Sequence, residues 1–345
     1  RVTPLTQPPG PALRRALTTL DPGEEWLLEP RSPSREAPLW SPGIKLGVRR
    51  GAFFHRTECF GPVLGLMRAA DLDEAIALAN DQPFGLTSGI QSLDDREIAR
   101  WLERIEAGNL YVNRHITGAI VGRQSFGGWK ASSVGPGAKA GGPNYVLQLC
   151  RARPVAPPAE GPAAVLRAAG AGYECAWREH FAPAHEPIRL LGERNVFRYR
   201  PCRRVLVRGE VATADGRLAL SLALLAARTC GAPVTVSLSA GEAGPWLGEE
   251  RAVVAVTETE GELIARLGGE GVERLRALVA LSRELRVAAH AAGIVVLDAP
   301  VVAAGRIELR HYVREQSVSH LVHRYGSVPS EPLTLPSPLW GEGSS

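Results

Sequence analysis

Hydrophobic positions along this chain change period again and again. Over residues 71–80, Leu72, Ala75, Ile76 and Ala79 fall on one face, with Asp71 placed to cap and Glu74 three residues on, so the spacing predicts a short helix. Residues 94–106 predict a second one: Ile98, Trp101, Leu102 and Ile105 make a stripe, Asp94 and Glu97 suit a capping box, and Gly108 ends it. Apolar runs at 63–67, 86–90 and 110–112 predict strands between them. Further upstream, 12–20 reads as a helix and 25–28 and 44–48 as strands. The second half repeats the alternation, with strands at 203–207, 234–238, 253–256, 275–281 and 294–297. Helices fall at 217–229 (ended by Gly231), 260–267 and 282–292 (ended by Gly293). Regular exchange of strand and helix is the α/β signature, here in two successive layers.

Composition sets limits. A chain of 345 residues has a prior of about two domains. Its 45% hydrophobic and 22% charged content is that of a globular protein, and a formal charge of +4 spread along the chain does not argue for nucleic-acid contact. No apolar run reaches the ~20 residues of a spanning helix, and no signal peptide is recognisable. Five cysteines at irregular spacing, without a Cys/His ligand pattern, argue against a metal site and for a reducing, cytoplasmic compartment. The chain opens at Arg1 in Pro-rich sequence and reads as a piece of a longer protein. Residues 151–186, with Pro154, Pro157, Pro158 and Pro162, read as a Pro/Ala-rich linker, and 327–345 as a disordered tail.

The densest chemistry lies at 108–145, where Gly108, Gly118, Gly122, Gly127, Gly128, Gly135, Gly137, Gly141 and Gly142 crowd one loop. Glycine lets backbone amides approach a ligand closely, although a glycine-rich connector without a ligand has the same composition. The run Asn113-Arg114, Thr117-Gly118-Ala119-Ile120-Val121, Arg123-Gln124, Phe126-Gly127-Gly128 and Lys139-Ala140-Gly141-Gly142 resembles the C-terminal part of aldehyde dehydrogenases. Within that family it resembles the enzymes that oxidise L-glutamate γ-semialdehyde (1-pyrroline-5-carboxylate) in proline catabolism. A second signature, Glu58-Cys59-Phe60-Gly61-Pro62-Val63, precedes it. The overall pattern is most similar to the large bifunctional proline-utilisation flavoenzymes, over residues 1–150 and more weakly over 186–326.

That resemblance implies a partial aldehyde dehydrogenase domain at 1–150 and a non-catalytic, Rossmann-like α/β domain at 187–326. It implies NAD as cofactor, with Glu58 accepting from the nicotinamide ribose hydroxyls and Phe60 beside the ring. A carboxylate suits a vicinal diol because it offers acceptors to both hydroxyls; a surface glutamate beside a Gly-Pro turn is the plainer alternative. Ile120 and Phe126 would wall the substrate tunnel, Phe126 being alternatively plain core. Gly141 and Gly142 would turn successive amides to the α-carboxylate of the semialdehyde, and Ser132 would brace the loop. Arg114, Arg123 and Lys139 are expected to be solvated or at a subunit interface, Cys59 to be packing, and His311, His320 and His323 to be exposed helix histidines.

Departures from the family pattern accompany the match. The loop is longer than in many relatives, with Ser133-Val134-Gly135-Pro136-Gly137 between Phe126-Gly127-Gly128 and Lys139. The family's nucleophilic cysteine and general-base glutamate fall before Arg1, and no Gly-x-Gly-x-x-Gly follows a strand. The expectation is therefore a fragment of an NAD-dependent dehydrogenase, inactive alone, whose partner is the upstream part of the same enzyme. The complete protein would be a homo-oligomer, with FAD only if a proline dehydrogenase domain precedes it. A dehydrogenase for another aldehyde, or a structural or assembly module, are the alternatives.

Overall fold

The computed structural model describes residues 3–33, 38–152, 161–238, 254–269 and 271–323. Packing separates two units, residues 1–83 with 100–105, and residues 84–99 with 106–345. In the first, helix α1 (Pro11–Thr18) starts on a proline, whose missing N–H costs nothing there, and buries Leu13 and Leu17 beside Trp40. Strands β1 (Glu25–Leu28) and β2 (Gly43–Leu46) pair antiparallel. After the single turn α2 (Phe53–Arg56), β3 (Val63–Gly65) adds parallel to β2. Helix α3 (Leu72–Asn80) has the expected cap: Asp71 accepts the N–H of Glu74, and the Glu74 carboxylate reaches back to the N–H of Ala70.

Next come β4 (Phe84–Gly85), β5 (Thr87–Ile90), α4 (Asp95–Arg104), β6 (Asn109–Val112) and β7 (Trp129–Lys130). At the start of α4 the expected capping box is not closed, because the Glu97 carboxylate accepts the Ser92 hydroxyl instead. Asp94 takes the N–H and guanidinium of Arg96, which hold its carboxyl down at about 2.

The second unit continues with α5 (Pro162–Ala176), β8 (His185–Leu190), β9 (Glu193–Pro201), β10 (Val205–Gly209), α6 (Ala214–Cys230), β11 (Val234–Leu238) and β12 (Val254–Thr257). It ends with α7 (Glu260–Arg266), β13 (Arg274–Ala277), α8 (Arg283–Ala291), β14 (Val295–Leu297), α9 (Gly305–Glu308) and β15 (Val313–Leu321). Strands β10–β14 form an all-parallel sheet in the order β12-β11-β10-β13-β14, which reverses direction of growth between β10 and β13. This is the doubly wound α/β arrangement that the alternation predicts. Both Thr213 and Gly231 close α6 as expected of a cap and a left-handed stop. The core gathers Leu220, Ala223 and Ala227 of α6 with Val205, Val207 and Val236 of the sheet.

Several elements depart from expectation. Residues 162–176 are helix α5, not linker: Ala169 and Tyr173 are fully buried, and the Tyr173 hydroxyl donates to the Val302 carbonyl at 2.6 Å. Alanine, read as linker composition, is also the best helix former. Residues 153–160 and the 327–345 tail lie outside the described residues. Strands β8, β9 and β15 complete a second sheet, β5-β6-β15-β9-β8, in which β15 lies parallel to β6 and antiparallel to β9. Packing thus groups residues differently from the expected 1–150 and 187–326, because one sheet draws strands from both. The histidines are corrected too. His311 is buried in a 3-10 turn (Leu309–His311), His320 is buried on β15, and exposed His323 follows that strand.

Candidate active-site segments

In the first unit, the run Thr57–Pro62 joins α2 to β3. Phe60 has φ of 52° and is 85% exposed, an uncommon backbone for a bulky side chain that leaves its ring without packing. Glu58 is exposed, and among the described residues no hydrogen bond or ion pair engages its carboxylate. Between them Cys59 packs against the Leu13, Leu17 and Trp40 cluster, and burial pushes its thiol up. Gly61 is required by closeness, since a Cβ there would overlap the Leu13 side chain. An anchored turn thus offers an unpaired carboxylate and an open aromatic face two residues apart, which fits a diol and a flat ring.

In the second unit, β6 feeds the glycine loop. Gln124 pins its first half, accepting the N–H of Ile120 through Oε1 at 2.8 Å and donating Nε2 to Asn195 Oδ1 at 2.6 Å. Ile120 itself is 45% exposed. Phe126 is half-buried and exchanges both backbone hydrogen bonds with Ala140 at 2.9 Å, so the loop returns on itself and brings Phe126 beside the Lys139–Gly142 turn. Gly141 takes φ of 74°. The N–H of Gly142 donates to the Lys139 carbonyl at 2.9 Å. Of these two amides, that of Gly141 makes no hydrogen bond among the described residues. The Ser132 hydroxyl accepts the N–H of Gly85 at 3.3 Å, and its own N–H donates to the Trp129 carbonyl at 3.0 Å.

Two of the three cations are internal, not solvated. Lys139 is 1% exposed, and its Nζ donates to the carbonyls of Gly108 (3.0 Å) and Gly127 and to Asn109 Oδ1 (2.9 Å). Burial brings its pKa down to about 7. Arg114 is buried and pairs with Glu193 at 3.0 Å, while Arg123 is more exposed and reaches the same carboxylate at 3.9 Å.

Sequence reasoning missed the residues that hold the loop from far along the chain. Glu315 of β15 is 7% exposed, with Oε2 accepting the N–H of Lys139 at 2.7 Å and Oε1 accepting Asn144 Nδ2 at 2.8 Å. Asn144 also donates to the Tyr199 hydroxyl at 2.9 Å, which lies 2.7 Å from His180 Nε2. No local pattern announces them, since the sequence separation is 171 residues between Asn144 and Glu315.

At the C-terminal ends of β10, β13 and β14 lies a crevice of about 720 Å³, lined by Leu218, Leu222, Leu278 and Val301 with Glu210 and Asp298. The Glu210 carboxylate already accepts the N–H and hydroxyl of Thr213 at the start of α6, so the helix end that would seat a phosphate is filled by this chain. Among the described residues no cluster of three or more His, Cys, Asp or Glu could hold a metal ion.

Residues 21–155 match the aldehyde dehydrogenase family. A 1-pyrroline-5-carboxylate dehydrogenase of Bacillus cytotoxicus is 44% identical over 112 residues, 32% of this chain and 21% of that protein. The enzyme of the same name from Bacillus mycoides gives the same figures. Proline utilization A (PutA) from Corynebacterium freiburgense is similar in structure, with TM-score 0.75 and 41% identity over 94% of this chain and 32% of that one. The chain thus spans about a fifth of the length of these curated relatives and a third of that structure.

Proposed function

With residues 21–155 matching the aldehyde dehydrogenase family, we propose that this chain is a section of an enzyme that oxidises L-glutamate γ-semialdehyde to L-glutamate with NAD in proline catabolism. One observation carries the substrate assignment: the left-handed turn at Gly141 leaves its N–H unengaged among the described residues, beside Phe126, in a loop held by several hydrogen bonds. A backbone N–H held by a rigid loop is a suitable donor to a carboxylate. Phe126 and Ile120 would lie along the substrate's aliphatic chain and exclude water from it.

Glu58 would accept hydrogen bonds from the two ribose hydroxyls of the cofactor, and the open ring of Phe60 would pack beside the nicotinamide. NAD, when bound, supplies the acceptor for the hydride that leaves the aldehyde carbon. Cysteine chemistry would come from elsewhere in the complete enzyme. Burial raises the thiols of Cys59, Cys202 and Cys230, and the neighbouring Glu179 raises that of Cys175. A nucleophilic thiolate needs the opposite shift. On this reading the nucleophile lies in another segment of the complete enzyme, without which this chain is inactive.

The test is NADH formation by the complete enzyme, with L-glutamate γ-semialdehyde against an uncharged aldehyde of equal length. A charge-assisted contact at Gly141 gives a preference of about tenfold or more in kcat/KM. Equal values for the two aldehydes contradict the reading.

A further inference from the structure

Three separate points of the glycine loop converge on one residue of β15. The Glu315 carbonyl accepts Trp129 Nε1 at 2.7 Å, while its carboxylate takes the Lys139 N–H at 2.7 Å on one oxygen and Asn144 Nδ2 at 2.8 Å on the other. The two carboxylate bonds bracket Gly141 and Gly142, so both ends of that turn are fixed by a single side chain. A Cβ on Gly142 would stand 2.9 Å from the Lys139 carbonyl oxygen, so the closure of the turn itself favours glycine there.

The bracket is itself held rigid. β15 runs between β6 and β9, with Ser317 opposite Asn109 and Glu315 opposite Tyr199. Asn144 Nδ2 is shared between Glu315 and the Tyr199 hydroxyl, so the far end of the turn is tied to β9 as well as to β15. A carboxylate accepts on both oxygens, whereas a carboxamide in the same place offers one acceptor and turns an NH2 group against a donor.

We propose that Glu315 is a positioning residue for substrate selection, holding the Gly141 amide where an anionic tail can reach it without touching substrate itself. This rests on the reading above, in which Gly141 meets the substrate carboxylate. Glu315 therefore controls discrimination between carboxylate-bearing and uncharged aldehydes, not the rate of the chemical step.

The experiment compares the complete enzyme with its Glu315→Gln and Asn144→Ala variants, on L-glutamate γ-semialdehyde and on the uncharged aldehyde of equal length. Glu315→Gln is expected to lower the ratio of the two kcat/KM values about tenfold, mainly through KM for the semialdehyde. Asn144→Ala, which frees only one side of the bracket, lowers the same ratio by a smaller factor and answers the question should Glu315→Gln fail to fold. A wild-type enzyme that discriminates, with variants that keep its ratio or lose activity equally on both aldehydes, overturns the positioning role alone. A wild-type enzyme that does not discriminate overturns the Gly141 reading and this inference together.

Discussion

Arg276 and Glu308 form a fully buried ion pair, with Nε and Nη2 donating to Glu308 Oε1 at 3.1 and 3.0 Å. Arg276 Nη1 also donates to the carbonyls of Leu297 and Ala299, and Glu308 accepts the Val302 N–H and the Tyr312 hydroxyl, each at 3.2 Å. The pair thus ties the end of β14 to the turn that launches β15. Removing one member leaves an uncompensated buried charge, so Arg276→Met is expected to cost about 3–5 kcal/mol. The double variant Arg276→Met/Glu308→Leu recovers part of that loss, and urea unfolding monitored by circular dichroism reads both.

Lys139 makes stability depend on pH in an unusual direction. Its folded pKa, about 7, lies below the ordinary lysine value of 10.5 because burial penalises the ammonium. Between those values the unfolded chain binds more protons, so stability rises as pH climbs from about 7 and levels off below it. Wild-type protein should gain in thermal midpoint relative to Lys139→Met between pH 7 and pH 9. Parallel midpoints across that range would show that Lys139 stays charged in the fold.

On the proposed role of Glu58, Glu58→Gln halves the acceptors offered to a ribose diol. In the complete enzyme, KM for NAD should rise about tenfold with kcat little changed. Initial rates over a range of NAD concentrations decide it, and an unchanged KM removes Glu58 from the cofactor site.

Local chemistry was legible and long-range pairing was not. The cap at Asp71 and the stop at Gly231 follow from residues close by in sequence, and they appear where the spacing places them, whereas α6 starts at Ala214 behind a Thr213 cap, three residues before the expected start at 217. α5 was hidden because alanine and proline serve linkers and helix starts equally, and only the burial of Tyr173 separates the two. β15 was hidden for a different reason. Its burial on both faces gives no alternation, and its partners lie far off in sequence: Ser319 meets Arg114, just past β6, across 205 residues and Glu193 of β9 across 126. Lys139 looked like a surface cation, since nothing in Gly-Ala-Lys-Ala-Gly tells that three oxygens surround its Nζ. Within the loop the glycines marked the turn at Gly141, while the engagement of the Gly142 amide depended on how that turn closes.

A crystal structure of the complete enzyme with L-glutamate bound measures the central claim most directly. The account predicts the product's α-carboxylate within about 3 Å of the Gly141 nitrogen, with its aliphatic chain along Phe126. A carboxylate held by other groups, with the Gly141 N–H facing solvent, would contradict it.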